Sequence, residues 1–142
     1  NCVSISDLNV STWDVSNVTT FNSFLYCAID SNNDGKLNNY DTYNYQLTSL
    51  TVSDWNTGSA VDMSSMFRGC SALLTLDVDG WDVSKVETFE RFLYRCRGLT
   101  SINLEGWKTT SAKSMMYMFY ECWTLKKLDL IFLSLMNLIK ID

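Results

Sequence analysis

Oxygen-bearing side chains fall at alternate positions from Asp30, and a glycine follows the third of them. The run is Asp30-Ser31-Asn32-Asn33-Asp34-Gly35-Lys36-Leu37-Asn38-Asn39-Tyr40-Asp41, twelve residues long. Calcium takes about six to eight hard oxygen ligands, and a chain can supply them from positions one, three, five, seven, nine and twelve. Here Asp30, Asn32, Asp34 and Asp41 offer side-chain oxygens, and Lys36 offers its backbone carbonyl. Asn38 stands at nine, a position often bridged through water, and Gly35 stands at six, where such a loop turns sharply. Three carboxylates balance one divalent ion, and without it they repel one another. Magnesium, with its tighter octahedral demand, fits less well. The expected cofactor is therefore calcium in a structural role. The competing reading is an Asn/Asp/Gly-rich turn with no metal.

The frame that must carry this run is a 26-residue repeat. Trp55, Trp81 and Trp107 stand 26 residues apart, as do Cys70, Cys96 and Cys122, and Leu47, Leu73, Leu99 and Leu125. An earlier copy starts at Ile5 and carries Trp13 and Cys27. Between Trp13 and Trp55 the interval is 42, so 16 residues are added, and they lie between Cys27 and Leu47. The calcium-type run sits inside that insert, residues 28–46 of a single 1–142 domain.

Within each copy, Ile5/Leu8/Val10, Leu47/Leu50/Val52, Leu73/Leu76/Val78, Leu99/Ile102/Leu104 and Leu125/Leu128/Leu130 end in a period-two alternation that predicts a short strand. After the Trp the spacing turns helical: Met63/Met66/Phe67, Phe89/Phe92/Leu93 and Met115/Met118/Phe119 would line one side of a short helix. The predicted fold is an α/β repeat solenoid of about five coils, with parallel strands on one face and helices on the other. The Trp, Met and Phe columns read as core.

The stretches Leu76-Asp77-Val78-Asp79-Gly80-Trp81-Asp82-Val83-Ser84 and Met63-Ser64-Ser65-Met66-Phe67-Arg68-Gly69-Cys70-Ser71-Ala72-Leu73 resemble the 26-residue repeat of bacterial surface proteins, the BspA-like leucine-rich repeats. The resemblance implies a leucine-rich-type solenoid on secreted or surface-anchored proteins, often in adhesion, and it supplies no catalytic residues. The insert matches the EF-hand loop, and its closing Asp41 in place of Glu resembles the dockerin version. Dockerins carry two such loops and this chain has one, so cohesin binding is not implied.

Composition narrows the function. The chain has net charge −5 and no histidine, proline or basic run. No electrostatic footprint for nucleic acid follows from that balance, and the commonest general base is missing. An enzyme is not expected. The five cysteines read as buried thiols, since no Cys-x-x-Cys pair points to zinc. The apolar stretch Ile131, Phe132, Leu135, Met136, Leu138 and Ile139 is too short and interrupted to cross a membrane comfortably. It reads as a subunit contact or as the edge of a truncated chain.

Outward strand positions form one column, Asn9, Thr51, Asp77, Asn103 and Asp129, and a second, Ser11, Ser53, Asp79, Glu105 and Ile131. With Tyr40, Tyr43 and Tyr45 of the insert, the first column gives the candidate contacts for a protein or glycan. The expectation is a non-enzymatic extracellular or cell-surface binding module, an adhesin or receptor-binding segment. The alternative is an assembly module of a phage fibre or cell-surface filament, associated with a virion in the first case.

Overall fold

The computed structural model describes residues 5–26, 28–29, 42–43 and 46–126. Its strands are β1 (Asp7–Asn9), β2 (Ala28–Ile29), β3 (Thr42–Tyr43), β4 (Ser49–Thr51), β5 (Thr75–Leu76) and β6 (Ser101–Ile102). β1 and β4 pair in parallel with Leu8 opposite Leu50, and β5 and β6 pair in parallel with Leu76 opposite Ile102. β2 and β3 form a separate antiparallel pair. β1, β4, β5 and β6 thus fall where the period-two pattern placed them, and copies of the repeat lie side by side in register; β2 and β3, inside the insert, are not expected from it, and the fifth expected strand runs beyond the described residues.

The α/β solenoid expectation is overturned on two counts. The described residues contain no helix, and their strands form small two-stranded sheets, not one continuous sheet. A leucine-rich-type architecture with a helical face is therefore not what the described residues build.

Hydrogen bonding explains the missing helices. In the stretch from Met63 to Cys70, alternate amides leave the repeat altogether. Met63, Ser65, Phe67 and Gly69 donate to the carbonyls of Thr88, Glu90, Phe92 and Tyr94 at 2.8–3.0 Å. Phe89, Arg91, Leu93 and Arg95 repeat the pattern onto Ser114, Met116, Met118 and Tyr120. The amides between them close tight turns, as Phe92 does to Phe89 and Tyr94 to Arg91. Amides engaged in this way are not available to an i→i−4 ladder.

Left-handed backbone is the means. Ser65, Arg91 and Tyr117 hold φ of 55°, 56° and 58°, and Gly69, Arg95 and Glu121 hold 81°, 62° and 56°. Such conformations disfavour helices in L-residues and persist only where surrounding structure fixes them. Side chains start each turn run: Asp62 Oδ1 accepts from the Ser64 amide, and Thr88 Oγ1 from that of Glu90. Consecutive turns still carry residues i, i+3 and i+4 inward. Phe67, Phe89, Phe92, Met63, Met66, Met115 and Met118 are accordingly fully buried, each large apolar side chain contributing about 1.5–3 kcal/mol by leaving water.

Two polar columns tie the layers together from inside. Trp55 Nε1 donates to the Val10 carbonyl at 2.8 Å and Trp81 Nε1 to that of Val52 at 3.1 Å, and the two indoles stack with centroids 6.1 Å apart. The thiols of Cys70, Cys96 and Cys122 donate to the carbonyls of Leu25, Phe67 and Leu93 at 3.1–3.3 Å. These three cysteines are thiols and form no disulfide, while Cys2 and Cys27 lie outside the described residues.

Gly98 shows how closely the layers approach. A Cβ there would lie 2.7 Å from the Ser71 carbonyl oxygen and 3.2 Å from that of Leu73. Backbone must move to admit it. Gly98→Ala is expected to lower stability by about 1–3 kcal/mol, and Gly58→Ala, which meets the Asp82 side chain at 3.3 Å, by much less. Urea melts of the two variants beside the parent check this; equal midpoints for Gly98→Ala and the parent would contradict the packing.

Candidate functional site

The calcium-type residues Asp30, Asn32, Asp34, Lys36, Asn38 and Asp41 lie outside the described residues. What the structure does show is the pair of strands that flanks them. Ile29 is the partner of Thr42 and Ala28 of Tyr43, so the run leaves and re-enters the fold at adjacent points. The stack passes beneath without interruption. Phe21, Ser23 and Leu25 donate to Asp62, Ser64 and Met66 across the insert at 2.7–3.0 Å. Among the described residues no group of three or more His, Cys, Asp or Glu is placed to hold a metal ion.

Of the strand-face column, Asn9, Asp77 and Asn103 are exposed and Thr51 is half-buried, while Asp129 lies outside the described residues. These side chains also have a local task. Asn9 Oδ1 accepts from the Ser11 amide, Asp77 Oδ1 from Asp79 and Asn103 Oδ1 from Glu105, each closing an Asx-turn at the end of its strand. Asn103 Nδ2 also donates to Asp79 Oδ1 at 2.9 Å, linking neighbouring layers. Of the insert tyrosines, Tyr40 and Tyr45 lie outside the described residues, as do the apolar residues from Ile131 to Ile139. Tyr43 contributes its backbone to β3. Among the described residues no helix is long and apolar enough to cross a membrane.

A different surface gathers the side chains with most chemistry. The turn runs stack Tyr26, Arg68, Tyr94 and Tyr120 in successive layers. Arg68 lies between two rings, its guanidinium carbon 4.7 Å from the Tyr26 centroid and 4.9 Å from that of Tyr94. Tyr94 then stacks on Tyr120 at 4.9 Å and 14°. Beside them Arg91 lies over Tyr117 at 5.5 Å, and Arg97 over Trp123 at 4.4 Å. All four arginines of this acidic chain are on this edge, each within cation–π range of a ring. Sequence reasoning treated Arg68 only as part of a repeat. The signal was present: Arg68/Tyr94/Tyr120 and Arg91/Tyr117 keep the 26-residue interval.

Two carboxylates answer these cations. Glu121 pairs with Arg95 at 3.1 Å and with Arg97, and Glu90 pairs with Arg91. Burial works against the Glu121 charge, but hydrogen bonds and attraction from Arg97 and Arg95 outweigh it and hold the carboxyl below its ordinary range. Arg91, Tyr94, Tyr117 and Tyr120 enclose a cleft of about 270 Å³. In the cysteine column, burial pushes the Cys122 thiol up to about 12 against a smaller opposing backbone hydrogen bond at Cys96, which keeps it protonated at neutral pH.

The described fold and this edge define a class: a repeat protein, without helix among the described residues, whose layers are joined by backbone hydrogen bonds at a fixed register, with an aromatic and arginine-rich margin. The chain belongs to the family described as Mycoplasma protein of unknown function, DUF285, which matches residues 3–49 and 43–130. No curated protein and no solved structure matches it.

Two consequences are measurable. Glu121→Gln removes the carboxylate charge that pairs with the largely buried Arg95 and is expected to cost about 1.5–3 kcal/mol. In the parent that contribution is present above the ordinary Glu range and is lost as pH falls through the depressed value, so acid melts of parent and variant should converge. At the other end, the raised Cys122 value means stability is full below pH 9.0 and declines as pH rises toward about 12. Cys122→Ala should show a shallower alkaline decline in urea unfolding, and parallel curves would refute the assignment.

Proposed function

We propose that this chain is a non-enzymatic extracellular surface-binding module, an adhesin or receptor-binding segment, steadied by one structural calcium ion. In this reading the family's repeat is the BspA-like repeat of bacterial surface proteins. The ion is held in a dockerin-like loop by Asp30, Asn32, Asp34, the Lys36 carbonyl, Asn38 through water, and Asp41. The observation that most supports the metal reading is the Ile29–Thr42 pairing. Positions one and twelve of a calcium loop face the same ion, and a flanking strand pair brings the two ends of the run together for that purpose. Support for a binding role comes from the repeat itself, which spreads polar columns and an arginine–tyrosine margin over successive layers.

A second reading, an assembly module of a phage fibre or cell-surface filament, is favoured by one feature of the first layer. Trp13 is 54% exposed there, beside a cavity of about 480 Å³ that Val15, Val18, Phe21 and Phe24 also line. Exposed aromatic surface of that kind suits contact between subunits. Sedimentation across a concentration series separates the readings, since assembly requires self-association and surface binding does not.

Thermal unfolding in calcium, in magnesium and in chelator tests the metal site. Calcium should raise the melting temperature of the parent, with a stabilisation of about 2.7 kcal/mol at a hundredfold excess over Kd. Magnesium should do less, and Asp34→Ala should abolish the response. A parent indifferent to calcium would remove the site. Retention of the calcium-loaded chain on immobilised extracellular-matrix proteins or glycans tests the binding role, and no retention on either would count against it.

A further inference from the structure

The edge described above is built in a way that core packing does not require. Glu90 pairs with Arg91 there, and Glu121 with Arg95 and Arg97. Arg68 is held between tyrosine rings and makes no ion pair there. Its Nε is buried without a hydrogen-bond partner. On a chain of net charge −5, this concentrates positive charge beside a concavity. Opposite charge is what such a margin would draw.

The concavity limits what can enter. At about 270 Å³ it falls just under the roughly 300–1,000 Å³ of pockets that enclose drug-sized ligands, so it suits one small unit of a larger molecule. Three of its four lining residues are tyrosines, rigid rings with an apolar body and a polar tip. The fourth, Arg91, is 36% exposed and engages Glu90 through Nη1. A guanidinium is a planar fork matched to a carboxylate. The ligand unit that uses both features is a hydroxylated ring carrying a carboxylate.

We propose that the cleft of Arg91, Tyr94, Tyr117 and Tyr120 binds a uronic-acid unit of an acidic glycan. The sugar ring lies against the half-buried Tyr117 and Tyr120, and its carboxylate meets Arg91 in competition with Glu90. An acidic peptide offers the carboxylate on a flexible stem but no hydroxylated ring, so the tyrosines favour the sugar. The proposal deepens the surface-binding reading by naming a ligand class and a place, and rests on that reading only for its setting.

The test is an NMR titration of the full chain with methyl glucuronide, with methyl glucoside and with a short glutamate-containing peptide. The glucuronide should shift the ring resonances of Tyr117 and Tyr120 saturably, and the glucoside should bind about tenfold more weakly or not at all. Arg91→Gln should weaken glucuronide binding about tenfold, and Arg91→Lys, which keeps charge but not the fork, should fall between. Glu90→Gln should bind the glucuronide more tightly than the parent does, a gain that a purely structural role for Arg91 would not produce. Unfolding curves show whether each variant is folded, and should Arg91→Gln not fold, the Glu90→Gln comparison decides. No glucuronide binding, equal binding of the glucoside, shifts away from the cleft, or a peptide that binds as well would overturn the proposal. If the chain is retained on a protein or glycan surface but ignores the glucuronide, only this inference fails and the surface-binding reading stands.

Discussion

Everything in this molecule depends on one constraint: alternate backbone amides must meet carbonyls one repeat further along the chain. Met63 to Thr88, Phe89 to Ser114 and their neighbours are the same bond made again. A buried amide without a partner costs on the order of a lost hydrogen bond, so a change of register in one layer would orphan donors in the next. The strict 26-residue interval of Trp, Cys and Leu follows from this requirement. Each column is the side-chain record of a backbone position that has to recur.

Side chains then finish what the backbone begins. Indole N–H groups of Trp55 and Trp81 cap carbonyls of the preceding layer, and the thiols of Cys70, Cys96 and Cys122 do the same one turn later. The cysteine column is therefore polar in function as well as apolar in packing. A disulfide would take away the S–H that each carbonyl receives. On the outer margin the same stacking puts guanidinium on ring and ring on ring, so a single translation builds both the interior and this edge.

The sequence carried the repeat length, the positions of β1, β4, β5 and β6 and most of the inward residues, because each depends on hydrophobic spacing; Trp13 of the expected core column is instead exposed. It did not carry the absence of helix. Met63, Met66 and Phe67 point inward from successive tight turns just as they would from one helical face, and spacing alone does not separate the two. The clue was in residues without apolar character: Asp62 and Thr88 starting their turns, and Ser65 and Arg91 in left-handed backbone. The arginine–tyrosine edge was equally open to a column-by-column reading. It passed unnoticed because its residue types change between layers: arginine faces tyrosine where leucine faces leucine. For the twelve-residue run the reverse holds, with the ligand pattern plain in sequence and only the flanking strand pair described in structure.

The unbroken bonding beneath the insert has a consequence for chain statistics. Phe21, Ser23 and Leu25 find their acceptors across 41 residues as readily as later layers do across 25. Treated as a flexible ring, the longer closure differs from the shorter by only ~0.4 kcal/mol. The stack is therefore nearly indifferent to the length of what is looped out between these two layers. That point is a socket, where segments of other sizes and chemistries can be carried while the register below stays fixed.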